Sequence, residues 1–223
     1  MSGDYPGATN PPSAGGRRAP GWYRRGVTRI LLVRHGQSEW NALGRWQGQE
    51  DPPLSDLGRL QATSASQRIG SVDLVVASDL GRAVETAGIV AEQLGVGPVL
   101  IDARWRERHA GEWQGLTKDE IESAWPGYLD DRRRPPGFEA TEPFLERVHD
   151  ALHHLHREYA GAEILVVSHG GVIYVLEEDH GLGFERVPNL GGRHLTHRGE
   201  AGVVLGERVE LVDDELAFLP PNL

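Results

Sequence analysis

Four short runs of uninterrupted apolar residues constrain this chain most: Ile30 to Val33, Leu74 to Ala77, Pro98 to Ile101 and Ile164 to Val167. Each is too short for a buried helix, and none alternates with polar residues as a half-exposed strand would. Runs of this kind belong to strands covered on both faces. Between the second and third, Leu80, Ala83, Val84, Ala87, Val90, Ala91 and Leu94 recur at helical spacing and stop at Gly95. Before the fourth, Leu145, Val148, Leu152, Leu155 and Tyr159 mark one face of a second helix. The pattern predicts strands over 28–33, 73–78, 98–101 and 163–168, a helix over 55–69, and a further helix opening at "GGVIYVLEE". "TKDE", Thr117 to Glu120, has the form of a capping box. The stretch around "GVVLGERVELV" reads as short strands and turns. Strand–helix alternation with continuous apolar strands predicts an α/β fold, a mainly parallel sheet sandwiched between helices in three layers.

Residues 1–26 stand apart. Ten of these 26 residues are glycine or proline and almost none is aliphatic, so the segment is expected to be a flexible or surface-wrapped tail before a domain over 27–223. It has no apolar signal-peptide core, and no run in the chain approaches the roughly 20 apolar residues needed to span a bilayer, so the expected location is cytoplasmic. Lys plus Arg number 23 against 33 for Asp plus Glu, a net charge of −10. That balance argues against nucleic acid or an anionic membrane as partner, while allowing a small anionic ligand in a locally positive cleft. Cysteine is absent, which excludes disulfides, thiolate metal sites and cysteine nucleophiles.

In sheets of this class ligands bind outside the carboxyl ends of the strands. After the first strand come Arg34, His35, Gly36 and then Asn41; after the second, "SDLGRAVETA" puts Arg82 in the first turn of a helix. After the third, "RWRERHAGEWQGLT" contains Glu107; after the fourth, "SHGG" puts His169 at the mouth of the sheet and Gly170 at a helix start. Two arginines offer planar forks suited to phosphate oxygens, and a helix start adds backbone N–H donors. A neutral imidazole can attack phosphorus and hold it as phosphohistidine, while a carboxylic acid protonates the leaving alkoxide. Such a set performs phosphoryl transfer without a metal or other cofactor.

The stretches "LVRHGQSEWN", "GRWQGQEDPPLSDLGRLQA", "ASDLGRAVETA", "RERHAGEWQGLT" and "VVSHGGVI" closely resemble the histidine phosphatase superfamily, the phosphoglycerate-mutase-like proteins. The resemblance implies a phosphoglycerate-mutase-like three-layer fold, with His35 as the phosphorylated nucleophile and Arg34 and Arg82 clamping the phosphate. It makes His169 part of the phosphate pocket and Glu107 the proton donor. Asn41, Gln47 and Gly48 match positions that line the phosphate site, together with Gly170 in the "SHGG" turn.

The family holds mutases, which return the phosphoryl group to the bound molecule, and phosphatases, which let water take it. Mutases carry a long insertion between the acid and the second histidine. Here 62 residues separate Glu107 from His169, and "GEWQGLT" follows the acid, both similar to the phosphatase branch. The expected function is hydrolysis of phosphomonoesters of a small metabolite, a sugar phosphate or phosphorylated sugar acid. A cofactor-dependent phosphoglycerate mutase is the alternative, and a catalytically silent phosphate-binding protein is the alternative of another class. A homodimer is left open. Where many relatives have a Gly-Gly-Glu-Ser turn, this chain has "PPGFEAT", and Phe138 there is a candidate lid residue. Arg132, Arg133 and Arg134 just before it either grip a second anionic group or form a solvated loop run. His149, His153 and His156 have a helical spacing that suits zinc, but no carboxylate partner stands out, and partly exposed helix histidines beside the apolar face are the expectation. Trp40, Trp46, Trp105, Trp113 and Trp125 cluster around the motif loops, where they either wall the pocket in part or serve simply as packing.

Overall fold

A computed structural model of the protein describes residues 26–213 and 215–217, so all of the expected tail except Gly26 lies outside the described residues. Six strands form one sheet in the order β3-β2-β4-β1-β5-β6. They are β1 (Thr28–Arg34), β2 (Leu74–Ala77), β3 (Leu100–Ile101), β4 (Glu163–Ser168), β5 (Gly191–His197) and β6 (Val203–Glu210). The first four pair in parallel, whereas β5 runs antiparallel to β1, and β6 antiparallel to β5. The four apolar runs are thus the parallel strands. The region expected to hold short strands and turns instead forms two strands of seven and eight residues at the sheet's edge.

Alternate side chains of β1 leave the sheet on opposite faces. Ile30 and Leu32 join Val148, Leu152 and Leu155 of α5 (Thr141–Glu158) and Ile173 of α6 (Gly170–Asp179). Leu31 and Val33 pack with Ala62 and Ala65 of α2 (Asp56–Ser66) and Ala83, Ala87 and Val90 of α3 (Gly81–Leu94). Burying both faces at about 25 cal/mol per Å² of apolar surface is what holds the three layers together. A smaller cluster around Trp113 and Ile121 lies beneath the excursion between β3 and α5, which includes α4 (Lys118–Ala124).

The helices begin where the sequence caps them. Ser55 Oγ accepts from Gly58 N, and Thr117 and Glu120 close a full capping box. α2 stops at Ser66, three residues short of expectation. α3 ends on Gly95 in the left-handed conformation (φ 66°). A short helix, α1 (Glu39–Ala42), carries a second capping box, Ser38 with Asn41.

Candidate active site

Sheet register sets the site's foundation. Arg34 at the end of β1 pairs with Ser168 at the end of β4, so His35 and His169 emerge side by side, ring centroids 5.2 Å apart. Arg82, in the first turn of α3 after β2, reaches in from the other flank of β4, and its Nε donates to His35 Nε2 at 3.2 Å. Gly36 lets α2 approach this loop, since a Cβ there would stand 2.6 Å from the carbonyl oxygen of Gly58.

The hydrogen bonds decide the state of His35. Nε2 receives the Arg82 N–H, so it carries a lone pair, and the proton sits on Nδ1, which donates to Gly36 O at 2.6 Å. Burial, and then the fields of Arg82 and Arg34, push His35 well below the ordinary histidine pKa. It is a neutral imidazole with its free nitrogen toward Arg82, the form a nucleophile needs. His169 is depressed in the same way, by burial first and then by Arg82. Its Nε2 lies 2.9 Å from Ser78 Oγ, and its Nδ1 is buried without a protein partner.

Arg82 is held by the carbonyls of Glu50 (2.6 Å) and Gly48 (2.9 Å), and Arg34 by that of Val187 (2.9 Å). Burial lowers both guanidinium pKa values, Arg82 to about 10, which leaves them charged at neutral pH. Arg34 Nε is buried and unpartnered, like His169 Nδ1. Buried polar atoms ordinarily find partners, and these two beside His35 fit an anion's oxygens. Ser38 Oγ donates to Gln47 Oε1 at 2.7 Å, which commits that oxygen and frees the Gln47 amide N–H groups for the cavity.

Glu107 is fixed by two backbone donors. Its Oε1 accepts from Arg108 N (2.7 Å) and its Oε2 from Gly171 N (3.1 Å) in the first turn of α6. Gly171 must be small, because a Cβ would fall 2.1 Å from Glu107 Oε1. Arg147 of α5 ties down the same loop through the carbonyls of Arg104, Arg106 and Glu107 and an ion pair with Glu139.

Arg34, His35, Asn41, Gln47, Gly48, Arg82 and Glu107 line one cavity of about 300 Å³. His169 is fully buried behind His35. Gly170 is buried and packs on Tyr174, and its neighbour Gly171 lines the cavity instead. Of the arginine run only Arg134 lines the cavity: Arg133 pairs with Asp131 and lies over Tyr128, and Arg132 is exposed. Trp46 also lines it, whereas Trp105 and Trp113 are buried in the packing clusters. Phe138 lies in the wall, as do Arg108, Tyr174 and Phe184, which no local pattern singled out. His149 does have a carboxylate neighbour, Asp179 at 3.1 Å, supplied by α6 and invisible to spacing along α5. Among the described residues it joins no group of three or more side chains placed to hold a metal.

Residues 30–197 match the model of the histidine phosphatase superfamily, branch 1. The chain belongs to that superfamily. It is 40% identical over 181 residues, 74% of this chain and 80% of the other, to the glucosyl-3-phosphoglycerate phosphatase of Mycolicibacterium vanbaalenii. A metal-independent phosphoserine phosphatase of Arabidopsis thaliana is 37% identical over 157 residues, 66% of each chain. Among solved structures, a mycobacterial glucosyl-3-phosphoglycerate phosphatase complexed with VO3 superposes with a TM-score of 0.71 at 31% identity, covering 80% of this chain and 97% of that one. The protein is accordingly a phosphoric monoester hydrolase with a phosphoglycerate-mutase-like fold. No helix among the described residues is long and apolar enough to cross a membrane.

Proposed function

We propose that the protein hydrolyses the phosphomonoester of a small metabolite bearing a second anionic group, a phosphorylated sugar acid or its close kin, through a phosphohistidine on His35. What carries the proposal is the fixed tautomer of His35, with Nε2 unprotonated beside the Arg82 guanidinium. In the first step Nε2 forms a bond to phosphorus as the bond to the ester oxygen breaks, and Glu107 gives its proton to that oxygen. In the second, water attacks phosphorus, the P–N bond breaks, and Glu107 takes the water's proton. Arg34, Arg82, the His169 N–H and the amides of Asn41 and Gln47 stabilise the charge on the three equatorial oxygens.

The second anion is supported at the outer wall. Arg108 and Arg134 both line the cavity, and their guanidinium carbons lie 5.7 and 5.1 Å from the centre of the one Phe138 ring. Among the described residues neither forms an ion pair. Two cations beside one aromatic ring in the wall of the same cavity suit a carboxylate. The substrates in the relatives' names, a phosphoglycerate and phosphoserine, each carry one beside the phosphoester.

Phosphate release from phosphoglycerates, phosphoserine, sugar phosphates and p-nitrophenyl phosphate, with chelator present, is the test. Turnover that survives chelator and vanishes in His35→Ala, with carboxylate-bearing esters preferred, is expected. A phosphoryl group trapped on His35 and passed to a second hydroxyl of the substrate would instead establish a mutase. Absence of both release and labelling would overturn the catalytic proposal.

A further inference from the structure

Residues 187–190, "VPNL", bear no catalytic group and connect α6 to β5, yet they fasten the catalytic loop at four points. Val187 O accepts from the Arg34 side chain (2.9 Å), and Leu190 N donates to Arg34 O (3.1 Å). Asn189 Nδ2 donates both to His35 O (2.9 Å) and to Asn41 Oδ1 (3.2 Å). Val187, Asn189 and Leu190 are all buried, and Leu190 takes a positive φ of 56°, a conformation that costs a branched side chain energy. Asn189 leaves its own Oδ1 buried and unpartnered, a further cost.

Two consequences follow from what Asn189 touches. Asn41 Oδ1 already accepts from Ser38 N at 3.3 Å in the α1 capping box. With Asn189 as a second donor, both of that oxygen's lone pairs are committed. A flipped Asn41 would set its NH2 against two N–H donors, so Asn41 presents its NH2 to the cavity it lines. The peptide joining His35 to Gly36 is likewise held at both poles, its C=O by Asn189 and its N–H by Thr86 Oγ1 at 3.1 Å. That fixes the setting of Gly36, whose own carbonyl receives the His35 Nδ1 proton.

We propose that Asn189 is a positioning residue of the phosphate site: it orients the Asn41 amide as a donor to phosphate oxygen and locks the peptide that keeps Nε2 of His35 free. It touches neither substrate nor reacting atoms, and acts through Asn41 and His35. The role rests on the phosphate-binding function proposed above.

The test is a double-mutant cycle read by calorimetric titration with inorganic phosphate, alongside turnover of p-nitrophenyl phosphate and the melting temperature. Asn189→Ala weakens phosphate by about tenfold when Asn41 is present, and by about threefold at most in the Asn41→Ala background, where the part acting through Asn41 is already gone and only the part acting through the His35 peptide remains. Asn189→Ser, which restores a hydroxyl donor, recovers part of the affinity. If Asn189→Ala fails to fold, Asn189→Ser carries the same cycle, with a smaller weakening that again shrinks without Asn41. An equal factor in both backgrounds, or unchanged affinity with only a lower melting temperature, overturns the proposal and makes Asn189 a packing residue. Coupling without ester turnover by the native protein leaves Asn189 in its role and removes the phosphatase function. Turnover without coupling does the reverse, and a native protein that binds no phosphate removes both.

Discussion

The two ends of β1 each hold a cluster of buried or half-buried imidazoles, and the one at the carboxyl end is the proposed site. At the carboxyl end stand His35 and His169, with two guanidiniums, two unpartnered polar atoms and a cavity. At the amino end Thr28 Oγ1 meets His156 Nδ1 at 2.9 Å, His156 stacks on His197 at 4.3 Å, and His197 Nε2 lies 2.9 Å from His153 Nδ1. Both clusters hold depressed imidazoles: His197 is lowered to about 4, by burial first and then by His156, His153 and His149. Depressed histidine pKa values therefore do not mark a site on their own. The difference is what faces the free nitrogen: at one end an arginine in hydrogen-bond contact at a cavity wall, at the other a second histidine. Strand polarity explains it, because helix starts converge at the carboxyl ends of parallel strands, whereas α5 brings its last turn to the amino end of β1.

The largest effect that could break this contrast is loss of His35, the proposed nucleophile. His35→Ala is expected to lower kcat/KM by at least about 10⁴-fold, whereas His197→Ala leaves it within about threefold. Comparable losses in both, measured on folded protein, would erase the distinction between the clusters. Next in size is Glu107→Gln, expected to cost about 10²- to 10⁴-fold on an alkyl phosphate. The loss should be smaller on p-nitrophenyl phosphate, whose leaving group needs no proton. Equal losses on the two esters would remove Glu107 from the acid role. Smaller again is Arg134→Ala. It should raise KM for 3-phosphoglycerate by about tenfold and leave KM for p-nitrophenyl phosphate within about twofold, since only the former carries a carboxylate.

How much of this could be read from the chain follows the same polarity. The four parallel strands announce themselves as apolar runs, and the rule that ligands lie beyond their carboxyl ends pointed to Arg34, His35, Arg82, Glu107 and His169 as one set. β5 was harder to read, because in "GGRHLTH" Leu195 is the lone aliphatic residue among polar ones and glycine. Within the arginine run, composition cannot separate Arg134 from its neighbours: the loop's backbone, with Arg132 at a φ of 56°, decides which guanidinium enters the cavity. His153 and His156 have the spacing of metal ligands, yet their partner is His197, more than forty residues away. Asn189 is illegible for the same reason. Its meaning lies in the two acceptors it meets, and neither is local in sequence.

The smallest expected effect concerns pH and the cluster that is not a site. A histidine whose folded pKa is depressed takes up its proton in the unfolded chain first. Below about pH 6.5 the unfolded state binds more protons, so the folded state loses stability as pH falls, until the folded pKa is passed. For His197 that window runs from about 6.5 down to about 4. His35 and His169 add to the same slope. Replacing His197 with Asn removes its share, so the melting temperature of the variant should fall less steeply between pH 6.5 and 4.5, by about 3 to 8 °C over the interval. Activity on p-nitrophenyl phosphate should meanwhile fall off at a lower pH than an ordinary histidine would impose, and equally in both proteins, because burial and the fields of Arg82 and Arg34 hold the His35 pKa down. A variant whose melting curve tracks the native one across the window would show that the amino-end histidines are already protonated in the folded protein. The two ends of β1 would then differ in the protonation of their imidazoles as well as in what faces the free nitrogen.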